Sequence, residues 1–110
     1  MEINEEVVFQ LIAYSGEARS DIFEAFQLCK NKEYAKAQAA LEAAKEKMLK
    51  AHNVQTNLIQ QEAGGNYIEV RLLMVHAQDH LMTCMLAKDI MTSMIEMQKE
   101  IFEIKEHINM

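Results

Sequence analysis

The sequence predicts an all-α protein, a three-helix antiparallel bundle running up, down and up. Three observations carry that prediction. None of the 110 residues is proline. Apolar residues recur at three- and four-residue steps over long stretches, the mark of one buried helix face. A single strong breaker, "AGGNY" at 63–67, interrupts the chain where two adjacent glycines can cap a helix and permit a positive φ. Hydrophobic residues make up 50% of the chain and nine of its residues are methionine, which suits long helices. A β-fold would need regular turn signals that are missing. The length fits one domain, residues 1–110, with a modest core.

The first helix is expected over about 4–30. Val8, Leu11, Ile12, Ser15, Ala18, Ile22, Phe26 and Cys29 form its apolar stripe. Asn4 is placed to cap it, and Glu5 and Glu6 suit its positive end. "CKNKEY" breaks the pattern at Asn31. The second helix, about 33–63, carries Tyr34, Ala37, Leu41, Ala44, Met48, Ala51, Gln55 and Leu58 on one face. From Ile68 no breaker appears, so the third helix is expected over about 68–105. Pairing at equal height across a turn near Gly65 leaves residues beyond about 98 without a second-helix neighbour. Residues 105–110 are therefore expected to fray or to project. The short connections imply antiparallel neighbours. The second and third helices are apolar on more than one face, as at Leu72–Val75 and Cys84–Ala87, and the surplus calls for a homo-oligomeric partner.

Composition also excludes. The net charge of −6 argues against a nucleic-acid backbone as partner. No apolar run approaches the ~18 residues of a membrane span, so no membrane insertion is expected. The acidic N-terminus argues against a signal peptide. Cys29 and Cys84 form no C-x-x-C pair and read as reduced core residues of a cytoplasmic protein. No glycine-rich phosphate loop and no dinucleotide fingerprint is present.

The chemistry is expected in "MVHAQDHLM" at 74–82. His76, Asp79 and His80 share a helix face. Asp79 lies seven residues from Leu72 and from Leu86, where an apolar residue would fit the pattern, and a buried lone carboxylate is costly unless paired, protonated or metal-bound. Equal-height pairing sets Gln55 level with His76, and His52 near Asp79. A histidine steadied by a second polar group can act as a nucleophile, including toward a phosphoryl group. With no nucleotide loop, that group would have to come from another phosphoprotein. "HAQDH" also matches the inverted zinc-hydrolase pattern H-x-x-[E/D]-H. There the shorter Asp replaces Glu, and no third ligand is evident. The bland alternative is a helical adaptor whose polar cluster only sets register.

"IAYSGEARS" at 12–20, "AHNVQTNLIQQEA" at 51–63 and "LMVHAQDHLMTCMLAKDI" at 73–90 together resemble the lactose/cellobiose-specific IIA family of the bacterial sugar phosphotransferase system. The resemblance covers nearly the whole chain; Ala77 stands where many members have glycine. It implies a protomer that trimerises into a nine-helix bundle. It implies that His76 accepts a phosphoryl group from HPr and passes it to a cysteine of a IIB component, while the IIC permease imports a β-linked disaccharide of the cellobiose, chitobiose or lactose type. His80, Gln78 and Gln55 become candidates for orienting His76 or the phosphate. Asp79 is implied to meet its two symmetry mates around a cation on the trimer axis. At ~5 Å and an effective dielectric of about 20, each carboxylate pair would cost ~3 kcal/mol. Oxygen-only ligands make Mg²⁺ the expected ion.

Overall fold

A computed structural model of the chain describes residues 5–109. They form three helices: α1 (Glu5–Lys30), α2 (Tyr34–Ala63) and α3 (Leu72–Ile108), with no strand among the described residues. The three-helix expectation therefore holds. The proposed cap Asn4 lies outside the described residues.

The bundle is a rod of 65 × 20 × 20 Å, and its core is a column of three layers along α1. Val8 and Leu11 pack with Ala51, Met74, Ala77 and Leu81. Ala18 and Ile22 pack with Ala44, Met48 and Cys84. Ala25 and Cys29 pack with Ala37, Leu41 and Ile95. The α1 stripe is that of the sequence pattern, except that Ala25 takes the deepest place and Phe26 lies half-buried beside it. Alanine recurs in every layer, which lets backbones approach closely. Leu11, Ile22 and Leu81 have no exposed surface, and truncating any of them to alanine would cost about 2–5 kcal/mol. Helix α1 packs along both α2 and α3, whereas α2 and α3 meet over a much shorter stretch. Across the α1–α2 contact, Lys47 donates to Asp21 at 2.6 Å.

Both turns end their helix in the same way. After α1, Lys32 adopts φ 61°, its N–H bonds Cys29 O at 3.0 Å, and Glu33 N–H bonds Leu28 O at 2.9 Å. After α2, Gly65 adopts φ 98°, its N–H bonds Glu62 O at 3.1 Å, and Asn66 N–H bonds Gln61 O at 3.0 Å. These are paired closing bonds of the Schellman type, with one residue in the left-handed region. Glycine serves without strain at 65; at 32 a lysine does so, its ammonium 5.0 Å from the Phe102 ring centre.

Helix α3 departs from expectation at both ends. It begins at Leu72, not 68. Residues 66–71 cross the end of the bundle without helical structure, and Ile68 is buried there. Ile68 anchors this segment by its burial, and the chain is still extended at Arg71, with φ −108° and ψ 166°. At the other end α3 runs to Ile108 rather than 105. It does so as a projecting helix: every residue from 103 through 109 is exposed.

One face of α3 is left uncovered. Leu72, Val75, Asp79, Met82, Leu86, Ile90, Ser93, Met97, Ile101, Ile104 and Ile108 are all exposed and follow one another at three- and four-residue steps. From Asp79 onward the steps run three, four, four and repeat. That eleven-residue repeat averages 3.67 residues per turn, close to a straight α-helix.

Candidate functional site

His76 and His80 stand one turn apart in the first half of α3. Their Nε2 atoms are 3.1 Å apart, and the rings meet edge to face, with centroids 4.4 Å apart and planes at 87°. The i, i+4 spacing produces this contact, because such residues lie one above the other. Ala77 and Leu81 bury the opposite face of the same turns and fix the rings at the surface. His76 is exposed and His80 half-buried. A contact between two ring nitrogens needs a proton on one of them. With His80 as donor, Nε2 of His76 carries the lone pair, and an exposed lone pair beside a steadying N–H is a nucleophile open to a large partner.

Gln55 and Gln78 meet across the α2–α3 cleft, where the Gln55 amide donates to Oε1 of Gln78. The equal-height expectation is thus off by about half a turn: Gln55 pairs with Gln78, not His76. Gln78 Nε2 reaches Met74 Sδ at 3.6 Å. Neither amide hydrogen-bonds an imidazole among the described residues. The two glutamines line an open groove with Leu58, Ile59, Val70, Met74 and Val75. Ile59 and Val70 escaped the sequence reading, since neither sits on a core stripe; their signal is apolar character at positions that the stripes leave outside.

His52 lines a separate groove with Lys45, Met48, Leu49, Met85 and Lys88, and Asp79 is not part of that lining.

Asp79 is exposed on the uncovered face of α3. Its carboxylate makes no ion pair or hydrogen bond within its own chain among the described residues. There, too, no three His, Cys, Asp or Glu side chains gather into a site for a metal ion. One chain thus offers a cation a single carboxylate. Burial raises the Cys84 thiol above its ordinary range, partly opposed by the charge of Arg19. A buried neutral thiol is a core residue, not a second nucleophile.

Among the described residues no helix is long and apolar enough to cross a membrane. The family described as the PTS system lactose/cellobiose-specific IIA subunit matches residues 6–99. The chain is 46% identical over 99 residues to the lichenan-specific phosphotransferase enzyme IIA component of Bacillus subtilis, covering 90% of each chain. The crystal structure of the PTS cellobiose-specific enzyme IIA from Bacillus anthracis superposes with a TM-score of 0.87 at 42% identity, over 90% of this chain and 91% of that one. The solution structure of the IIA(chitobiose)–HPr complex of the Escherichia coli phosphotransferase system aligns with a TM-score of 0.77 at 42% identity, over 88% and 94%.

Proposed function

The chain belongs to the lactose/cellobiose-specific IIA family of the sugar phosphotransferase system, and on that premise we propose that it is a phosphocarrier whose acceptor is His76. The observation that carries the proposal is the exposed His76 ring with His80 Nε2 at 3.1 Å from its own Nε2. The donor is HPr, a choice supported by the likeness to a IIA protein solved in complex with HPr. The receiver is a cysteine of a cognate IIB component, and the sugar is a β-linked disaccharide of the lichenan, cellobiose, chitobiose or lactose kind.

The steps balance without a cofactor nucleotide. The donor's P–N bond breaks as a P–N bond forms at His76; that bond breaks in turn as a P–S bond forms on IIB. In the first step the His80 N–H loses its lone-pair partner and turns to a phosphoryl oxygen, where it stabilises charge. Gln55 and Gln78 hold the cleft beside this pair and present an apolar groove to the docking proteins.

The working form is a homotrimer joined along the uncovered α3 face. Three copies of Asp79 then share the axis, and Mg²⁺ held by their oxygens would neutralise them in a structural role.

The test is incubation with phosphoenolpyruvate, enzyme I and HPr, followed by addition of a IIB component. A phosphocarrier gains an acid-labile phosphoryl group and loses it to IIB. An adaptor gains none, and that result would refute the proposal.

A further inference from the structure

Arg19 stands on α1, exposed, and makes no ion pair among the described residues. Its own helix offers no counter-charge, since the positions three and four away are Ser15, Gly16, Ile22 and Phe23. We infer that Arg19 is a catalytic residue of the phosphoryl transfer proposed above, its guanidinium holding the phosphoryl oxygens as the group reaches and leaves His76. The inference rests on that reading of His76 and adds a second helix to the site.

Three observations carry it. First, the helix faces match. Asp21 and Tyr14 of α1 meet Lys47 and Lys50 of α2, so the opposite flank of α1, with Gly16 and Arg19, lies toward α3. On α3, Gln78 meets Gln55 of α2, so the flank with His76 and His80 is the one turned to α1. Where these two flanks begin, Glu5 and Val8 already confront Leu73 and Met74. Second, the height matches. Ala18 packs in one layer with Cys84, about 6 Å along α3 from His80. The charge of Arg19 reaches the Cys84 thiol, where it opposes the effect of burial. Helical side chains lean toward the N-terminus of their helix, and α1 and α3 run parallel, so an arginine here leans back toward His80 by about a turn. Third, the way is open. That lean crosses Gly16, where an added Cβ would meet no atom within 4 Å. Glycine weakens a helix interior, and packing within the chain does not call for it at this position. The space it leaves admits the phosphoryl group.

The chemistry suits an arginine. A phosphoryl group brings negative charge to a chain of net charge −6, and the guanidinium fork matches its oxygens with two N–H groups. As the donor's P–N bond breaks and the bond to His76 Nε2 forms, the charge of the loose transition state spreads over three oxygens. Arg19 keeps its protons throughout and holds two of these oxygens; His80 N–H serves the third.

Rapid-quench phosphorylation by phospho-HPr, over a range of HPr concentrations, tests this on Arg19→Gln, Arg19→Lys and Lys30→Gln. Lys30 is an exposed cation at the far end of α1, so its variant repeats the change in net charge away from the histidines. Arg19→Gln should lower the maximal rate about 100-fold and leave the half-saturating HPr concentration unchanged. Arg19→Lys should recover part of the rate, because it keeps the charge and loses the fork. Lys30→Gln should match the wild type, and all three should keep its melting midpoint. An unchanged maximal rate in Arg19→Gln, a loss confined to the half-saturating concentration, or an equal loss in Lys30→Gln overturns the role of Arg19 and leaves His76 standing. Wild-type protein that takes no label overturns the phosphocarrier reading itself.

Discussion

The Nε2 atoms of His76 and His80 are held 3.1 Å apart by one turn of α3, close enough for one ring to donate to the other. In the proposed phosphocarrier role, His80 positions and His76 reacts. His80→Ala should slow phosphoryl acceptance by about 100-fold, the usual cost of one donor at a developing negative charge, while acceptor stoichiometry stays complete. Rapid-quench kinetics would read both. Loss of stoichiometry along with rate would make His80 an acceptor itself.

Asp79 supplies a second test. Asp79→Leu restores the apolar spacing of Leu72 and Leu86, so the variant should remain trimeric and lose any dependence of its thermal midpoint on Mg²⁺ or chelator. Sedimentation and thermal melts with and without EDTA would decide. A monomeric variant, or a wild-type trimer indifferent to metal and to mild acid, would remove Asp79 from the axis.

These features differ in how plainly the sequence carried them. The α1 stripe, the Gly64–Gly65 stop and the out-of-place Asp79 follow from local spacing, so they could be read directly. The start of α3 could not, because burial of Ile68 is a tertiary event with no periodic signal. The break at Asn31 was legible, but not that Lys32 would take the left-handed conformation. Equal-height pairing brought Gln55 within half a turn of its true partner. It assumes that α2 and α3 pack directly, whereas both are seated on α1. The projection of α3 past the bundle was visible as a length mismatch, although its helical state there was not.

Ser15 illustrates a cost that spacing hides. Its side chain is 1% exposed and its hydroxyl finds no hydrogen-bond partner. A buried unsatisfied hydroxyl is worth about 1–3 kcal/mol of lost stability. Ser15→Ala should therefore stabilise the fold by about 1 kcal/mol and raise the melting midpoint by a few degrees. A lower midpoint would mean that the hydroxyl is bonded in solution.

The buried thiols contribute to loss of stability in alkali. Burial raises both Cys29 and Cys84 above the ordinary thiol range, opposed in part by Lys99 and Arg19 respectively. The folded state thus favours the protonated form. Stability should be intact below the unfolded thiol value of about 8.5 and should decline as pH rises through the raised folded values. Denaturant melts from pH 7 to 10 would follow it, and Cys29→Ala/Cys84→Ala should flatten the decline. An equally steep decline in that variant would assign it to other groups.

The most direct test of the central claim is to find where the phosphoryl group sits. After transfer from phospho-HPr, alkaline proteolysis and mass spectrometry of the peptide spanning 72–88 should place it on His76, and His76→Ala should fold normally and accept none. Label on His80, or undiminished labelling of His76→Ala, would contradict the assignment.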